Sequence, residues 1–567
     1  MLSPYKKCFA QRVKGRNYKI HLWTDDGYKE LRWTNKSYIE CSDSEATHIG
    51  LNGEPLKVVT NWEDSDSRLH FHDMTPHQKF LIERYGVDDR VSVTHKEVFF
   101  DIETEMGDSL TVEYIKSAPK KVTSIAYWDK QADQWGMFIL DEEKTLNYIK
   151  NGNKEIIPCL DEEELLYKFI EKLQEIEPDI LIGFNSDYFD IPYLYHRIIK
   201  VLGMNFIPYL SPIGIVRETP WFGQNQFIQI AGVENLDYMR LHKKYSQYDE
   251  PSYALDYLGK KYVNLGKIEY NGSLDRLFRE DINKFIEYNF RDVEILKALD
   301  EYFNYIQLTK GLSHKGKHNY SEVYASTKTH DGTISSYLLS QKIIPPAKER
   351  NAIIKTNYAG GFTFCPNVGL FNYIFDEDLT SQYPNIIRSL NIGRETLVAR
   401  IIDPNDRNNR LGLNDLKRKD PEEILLIENT KRSKTQLKVK ELLNFIIENK
   451  WTISANGVMF RTDKRSVLSV AIDQYFDERM LYQGKMNEAY KKGNKKEGDK
   501  YNFLQYRGKI LLNSLYGGLA LGGAFRYANV ILAEAITLTG QRVIQESALT
   551  INEHINKVIK GEISLDL

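Results

Sequence analysis

Of 567 residues, four are cysteine (Cys8, Cys41, Cys159 and Cys365), and no two of them form a CxxC pair. Such scatter argues against a zinc ribbon or a disulfide framework and suits a reducing compartment. No apolar run reaches the roughly 18 residues of a membrane-spanning helix. The first residues lack the basic start, apolar core and small-residue cleavage site of a secretory signal. An excess of positive charge is missing too: 76 Lys and Arg stand against 79 Asp and Glu, a formal net charge of -3. There is thus no global basic signature for nucleic acid, although phosphate contacts need only a local basic groove, and acidic metal sites lower the total.

What is present is a globular composition, 42% hydrophobic and 27% charged, with room for roughly four domains at about 150 residues each. Residues 1 to about 95 mix aromatic and charged side chains with short alternating pieces such as Tyr18–Trp23, an α+β pattern. The run Val91–Phe100 reads as a strand leading into Asp101-Ile102-Glu103, with Lys121–Trp128 as its neighbour; period-two geometry puts Asp101 and Glu103 on one face. Asp161-Glu-Glu-Glu opens a predicted helix where carboxylates meet the positive end of the dipole, and Ile180–Asn185 reads as the next strand. Strand, helix, strand points to an α/β layer. From Asp281 to Tyr305 apolar residues recur at helical intervals, placing Tyr288 and Asp292 one turn apart. Thr309–His330, polar and rich in glycine, serine and histidine, reads as a linker or return loop, and Pro404–Lys438 as a charged, solvated insertion. Tyr475–Lys500 and the segment through Tyr516 form an expected helical hairpin with a basic tip.

Three acidic segments follow one another: Asp101-Ile-Glu103, then Asn185-Ser-Asp-Tyr-Phe189-Asp190, then Tyr288-Asn-Phe-Arg-Asp292. Converging carboxylates without a His or Cys cluster suit Mg²⁺ or Mn²⁺, which prefer oxygen ligands. Two such ions about 4 Å apart lower the barrier to phosphodiester hydrolysis. In order and content these segments resemble the three exonuclease motifs of the proofreading domain of family B DNA polymerases, especially those of large tailed bacteriophages. The resemblance implies an RNase H-like fold in which Asp101, Glu103, Asp190 and Asp292 bind metal and Tyr288 positions water. Asn185 and Phe189 would hold the terminal nucleotide of the DNA primer. Asp256, in Pro251–Tyr257, is read as a cap or salt-bridge residue outside the catalytic set.

Further segments resemble the polymerase half of that family. Asp378-Leu-Thr-Ser-Gln-Tyr383-Pro is similar to its DxxSLYP motif, with Gln382 where leucine is common. The resemblance implies that Asp378 is a catalytic metal ligand and that Tyr383 packs beneath the deoxyribose. Tyr358-Ala-Gly360-Gly361 resembles the YxGG segment that contacts template DNA. Lys509, Asn513 and Tyr516 match KxxxNSxYG; offsets of four and seven place them on one helical stripe facing the incoming nucleotide. Arg479 corresponds to a triphosphate-binding arginine, but the lysine usual one turn later is Gln483 here, leaving Lys485 a candidate only if the helix rotates or bulges. No YxDTDS segment and no thumb follow Gly517.

These correspondences imply a multidomain α/β and α+β chain. Its expected parts are an amino-terminal domain (1–95 with 306–350), an exonuclease domain (96–305), a first palm segment (351–465), fingers (466–521) and a truncated palm continuation (522–567). The expected function is that of the amino-terminal subunit of a split DNA polymerase with a Mg²⁺-dependent 3′–5′ exonuclease. Its partners would be primer-template DNA, dNTP, a carboxyl-terminal chain carrying YxDTDS and the thumb, and a sliding clamp reached through that chain. No membrane contact is expected, and the setting would be the cytoplasm of an infected bacterial host. A stand-alone DNA-processing exonuclease and a nonenzymatic DNA-binding replisome assembly subunit are the alternative readings.

Overall fold

The computed structural model describes residues 2–105, 111–220, 226–246, 248–349, 360–362, 368–370, 378–379, 381–402 and 410–562. Tyr358 and the closing Ser564–Leu567 lie outside the described residues. Contacts divide the chain into two compact units, Met1–Lys36 with Met74–Ala325 and Ser37–Asp73 with Ser326–Leu567. This division runs through the 1–95 and 306–350 ranges.

The first unit opens with an antiparallel three-stranded sheet of β1 (Tyr5–Lys14), β2 (Asn17–Thr24) and β3 (Gly27–Thr34). Its larger sheet has seven strands: β4 (Glu97–Thr104), β5 (Val122–Asp129), β6 (Gln134–Leu140), β7 (Ile149–Asn151), β8 (Lys154–Cys159), β9 (Ile180–Gly183) and β10 (Glu234–Asp237). Their order is β7-β8-β6-β5-β4-β9-β10. β4, β5 and β6 pair antiparallel, whereas β9 pairs parallel with both β4 and β10. Seven of the eight residues of β5 are buried, as expected of an interior strand covered on both faces.

Helices α1 (Glu162–Ile176), α2 (Asp190–Val201), α3 (Tyr238–Tyr245) and α4 (Ile282–Phe303) belong to this unit. The Asp161 side chain caps α1 by accepting the Glu164 N–H at 2.8 Å, and three glutamates fill the first turn. Leu165, Leu166, Phe169, Ile170 and Leu173 supply its buried stripe and join Val98, Phe100, Ile125 and Phe138 in one core. Arg197 of α2 reaches Glu162 at 2.5 Å, both side chains being over nine-tenths buried, and donates to the Ala118 carbonyl at 2.8 Å.

The Thr309–His330 linker expectation is corrected by the structure: α5 (Tyr305–Gly316) and a 3-10 turn (Tyr320–Glu322) fill most of it, and α6 (Ser326–Ser340) begins before it ends. Thr309, Ser313, His314 and His318 are buried. Part of their polarity is satisfied internally: the Thr309 hydroxyl lies 3.4 Å from that of Tyr245, the Tyr5 hydroxyl donates to the Ser313 carbonyl at 3.0 Å, and His314 Nε2 lies 3.0 Å from the Tyr320 hydroxyl, whereas the Ser313 hydroxyl makes no hydrogen bond. Polar composition misled here because Tyr5 and Tyr245 are remote in sequence.

The second unit contains two five-stranded sheets. In one, Leu397–Ile402 is flanked by Ile424–Asn429 and Val458–Phe460, so the expected solvated insertion of Pro404–Lys438 instead contributes two strands, Ile424–Asn429 and Lys434–Lys438. Leu425 and Ile427 are buried against Ala399, Ile401 and Met459. The apolar run Ile424–Ile427 is masked by the charged residues on either side of it. The unit also contains helix α7 (Gln382–Leu390), the hairpin of α8 (Val467–Lys491) and α9 (Lys495–Leu519), and α10 (Val530–Ile559). His330 of α6 meets the hairpin through Ser514 Oγ at 2.9 Å.

Replacing Arg197 with alanine strands the buried Glu162 carboxylate, and the expected loss is about 3–5 kcal/mol. Urea unfolding followed by the tryptophan fluorescence of the first unit measures it; a loss below about 1 kcal/mol contradicts the assignment of a paired, buried charge.

Candidate functional site

Strand β4 turns Ile102 into the core, 4% exposed, and Asp101 and Glu103 to the opposite face. Helix α4 packs on β4 with Tyr288 and Asp292 on its buried side. Carboxylate oxygens of Asp101, Glu103 and Asp292 consequently lie within 4.8 Å of one another. Asp190, the first residue of α2, stands just outside this trio: its Oδ1 accepts the Ile102 N–H at 3.3 Å.

Two residues that the sequence reading passed over complete the arrangement. Asn289 donates from Nδ2 to Asp101 Oδ2 at 2.8 Å while its own Oδ1 accepts from Ser124 Oγ at 2.8 Å, which fixes the orientation of Asp101. Lys267 Nζ lies 2.5 Å from Asp292 Oδ2 and 3.1 Å from the Tyr288 hydroxyl. The Lys267 backbone N–H donates to Asp256 Oδ1 at 2.8 Å, and Asp256 also pairs with Lys260 at 2.8 Å, roles that fit its exclusion from the catalytic set. Asn289 was detectable as the neighbour of Tyr288. Lys267 sits in an irregular segment without periodicity, so only folding reveals its place.

Burial, followed by the neighbouring Asp292, pushes Glu103 up to about 8. Burial likewise raises Asp101 well above the usual carboxylate range, with Asp292, Glu103 and Asp190 adding to it. Asp190 is pushed up to about 7 by burial, against the pull of backbone N–H groups including that of Ile102. Asp292 is raised by burial and opposed by Lys267. Burial also raises the Tyr288 phenol, so it stays neutral near pH 7 and can orient a water without serving as its base. For Lys267, burial disfavours the charge, yet Asp292 and Asp101 outweigh it and hold the ammonium above its ordinary value.

Within the trio, Asp292 Oδ1 is buried and accepts no hydrogen bond. An all-oxygen donor set with one orphaned acceptor and excess negative charge fits a hard divalent cation. Among the described residues this is the only group of three or more His, Cys, Asp or Glu so placed.

The strand-gripping candidates lie in the segment between β9 and Asp190. Gly183 ends β9, where a Cβ would come 2.5 Å from that of Ser186, so the chain can turn there only without a side chain. Asn185 follows in the left-handed region at φ 66°. Phe189 packs its ring 5.3 Å from that of Tyr193 immediately before Asp190.

In the second unit, Tyr383 on α7 meets Tyr516 on α9 with ring centroids 4.5 Å apart. A Cβ on Gly361 would lie 3.1 Å from the Tyr383 hydroxyl, and the Gly360 carbonyl accepts from Gln541 of α10 at 2.7 Å. Gln382 donates to the Gly540 carbonyl at 2.9 Å. Asp378 is exposed, shortly before α7. Lys509, Asn513 and Tyr516 all fall inside α9. Arg479 on α8 crosses α9 at Gly508, where a Cβ would come 3.1 Å from that of Arg479. α8 runs unbroken through Gln483 and Lys485, so two residues turn Lys485 about 200° from the Gln483 face. Lys485 Nζ instead stands over the rings of Tyr482 and Tyr501, 5.9 and 5.7 Å from their centroids. The rotated or bulged helix that would have recruited it is not found.

A mixed α/β sheet bearing a carboxylate trio, linked to a unit with a long helical hairpin, defines a multidomain protein with an RNase H-like exonuclease domain followed by palm and fingers elements. The chain matches the family profile "DNA polymerase family B, exonuclease domain" over residues 83–258 and "DNA polymerase family B" over residues 325–565. It is 27% identical to the DNA-directed DNA polymerase of Escherichia phage RB69, over 94% of this chain and 65% of that protein. It is 30% identical to the DNA-directed DNA polymerase of Enterobacteria phage T4, over 71% of this chain and 47% of the relative. For DNA polymerase 1 of Sulfolobus acidocaldarius the identity is 22%, over 82% and 49%. The chain therefore spans less than two thirds of the length of these relatives. It belongs to the family B DNA polymerases and carries that family's exonuclease domain. The first profile stops before Lys267, Tyr288 and Asp292; the fold itself brings those residues to Asp101.

Carboxyl groups raised above their unfolded values stabilise the metal-free protein fully in acid, and this contribution is lost as pH rises through about 7 and 8. Added Mg²⁺ should therefore raise the melting temperature more at pH 8.5 than at pH 5.5, with proton release visible by calorimetry in buffers of different ionisation enthalpy. A pH-independent effect contradicts binding at this trio. Replacing Lys267 with methionine removes the offsetting charge and should cost the metal-free protein about 1–3 kcal/mol at pH 8. Mn²⁺ should restore most of it in thermal unfolding.

Proposed function

We propose that this chain is the amino-terminal part of a DNA-directed DNA polymerase, with a Mg²⁺-dependent 3′–5′ proofreading exonuclease in residues 96–305. The observation that carries the reading is the trio of Asp101, Glu103 and Asp292 with Tyr288 beside it. Asp101, Glu103, Asp190 and Asp292 would hold Mg²⁺, with Mn²⁺ as a substitute. Such ions neutralise charge at the scissile phosphate and make water more acidic. Asn289 orients Asp101, Lys267 limits repulsion among the carboxylates, and Tyr288 aligns the attacking water. Asn185 and Phe189 hold the terminal nucleotide of single-stranded DNA.

In the polymerase half, Asp378 supplies one metal-binding carboxylate, Tyr383 and Tyr516 border the nucleotide, Asn513 lines the nascent base pair, and Lys509 and Arg479 meet the triphosphate. Tyr358, Gly360 and Gly361 contact template. The parts proposed are palm 351–465, fingers 466–521 and a palm continuation from 522. Two-metal nucleotidyl transfer needs a second acidic segment, and residues 1–567 contain no YxDTDS. Extension therefore depends on a carboxyl-terminal polymerase segment with that motif and the thumb, which would also reach a sliding clamp. The setting is the cytoplasm of an infected bacterial host.

Asp101→Ala and Asp292→Ala should each reduce Mg²⁺-dependent digestion of single-stranded DNA on the order of a thousandfold or more while leaving DNA binding intact. Persistent digestion in the double variant sinks the exonuclease assignment. Primer extension should appear only when a carboxyl-terminal segment bearing YxDTDS is present; a complex that digests DNA but never extends it contradicts the polymerase assignment.

A further inference from the structure

The loop from Asn185 to Asp187 holds a left-handed residue, and although the Asn185 carbonyl accepts the Tyr188 and Phe189 N–H groups at 3.1 and 3.0 Å, the N–H groups of Asn185 and Asp187 need acceptors from outside the loop. Those acceptors come from the end of β10. The parallel register sets Gly183 opposite Asp237, so the Asp237 carboxylate lies alongside the chain as it leaves β9. Asp237 is fully buried. Its Oδ1 accepts the Asn185 N–H at 3.0 Å and the Arg240 N–H at 3.3 Å, and its Oδ2 accepts the Asp187 N–H at 3.4 Å. One carboxylate thus caps α3 and anchors two residues of the loop.

A second set of ties reinforces the first. The Arg240 guanidinium pairs with the Asp187 carboxylate and stacks 3.7 Å from the centroid of the Tyr324 ring. Asn235 Nδ2 donates to Asp187 Oδ1 at 2.6 Å, and Ser186 Oγ donates to Asn235 Oδ1 at 3.2 Å. Tyr324 in turn holds the strand end, accepting the Asp237 N–H at 3.0 Å. Asn185, Ser186 and Asp187 are each bound to β10 or to the start of α3. None of these ties includes Asp101, Glu103 or Asp292.

We propose that Asp237 and Arg240 are positioning residues for capture of the 3′-terminal nucleotide of single-stranded DNA, acting by fixing the loop that presents Asn185 and Phe189. This rests on the exonuclease reading above and adds to it a division of labour: β4, α4 and Asp190 at the start of α2 set the chemistry, and β10 and α3 set the grip. Removing one anchor frees the loop to sample shapes in which Asn185 and Phe189 no longer face the strand end together, so binding of the strand weakens while hydrolysis of bound ester does not.

The test compares wild type, Asp237→Asn and Arg240→Gln in steady-state digestion of an oligothymidylate with Mg²⁺. It adds hydrolysis of bis(4-nitrophenyl) phosphate, a phosphodiester with no nucleoside for Asn185 and Phe189 to hold. Asparagine keeps the size of Asp237 but presents an N–H₂ to backbone donors. The expected result is a KM for the oligonucleotide raised about tenfold, equivalent to about 1.4 kcal/mol, with kcat and the small-ester rate changed less than about threefold. An unchanged KM in either folded variant overturns the proposal. So does an equal fall of activity on both substrates, which would place these residues in the metal chemistry. Melting curves show whether Asp237→Asn folds, and if it does not, Arg240→Gln decides by the same criteria. Wild-type protein inactive on both substrates would instead remove the exonuclease reading, and this inference with it.

Discussion

Negative charge crowded into a small volume is the constraint around which the first unit is arranged. Two carboxylates at about 5 Å repel by roughly 3 kcal/mol at an effective dielectric constant near 20. Asp101, Glu103 and Asp292 place three such groups within 4.8 Å. β4 supplies two of them by its pleat, and α4 supplies the third from nearly 200 residues away. The arrangement survives because raised proton affinities keep part of the charge neutral and because Lys267 sits on Asp292. The same features make the site receptive to a divalent cation, whose charge substitutes for both the protons and the lysine.

Around that centre the fold assigns separate duties to separate elements. The core under β4, β5 and α1 gives the carboxylates a rigid platform, and the buried pair of Arg197 with Glu162 ties α2, which begins with Asp190, to α1. The strand end at Asp237 governs the loop before α2. In the second unit, the contact of Tyr383 with Tyr516 joins the segment after Asp378 to the hairpin that carries Lys509 and Arg479. Gly361 lies against the same tyrosine.

Much of the site was legible in linear order because its residues obey short periods. Asp101 and Glu103 share a face through an alternation of two, and Tyr288 and Asp292 through one helical turn. Lys509, Asn513 and Tyr516 form a stripe for the same reason. The failures have an equally physical origin. The polarity of Thr309–His330 resembles that of solvent-facing chain, but Tyr5 and Tyr245, distant in sequence, meet its buried Ser313 carbonyl and Thr309 hydroxyl. The strand Ile424–Asn429 is hidden because its apolar run is only four residues long and is set among charged ones.

The sequence by itself determined the family, the α/β character of the first unit and the identity of the acidic residues, all of which reside in local patterns and side-chain chemistry. Only the tertiary structure decided which carboxylates form the tight trio, that Asp190 stands beside it through the Ile102 N–H, and that Lys485 lies over the rings of Tyr482 and Tyr501. It also recruited Lys267, Asn289 and Asp237. Lys267 belongs to no periodic pattern, Asn289 only adjoins Tyr288 on α4 and Asp237 ends β10; their roles are set by distances between segments far apart in the chain, which composition and spacing do not encode.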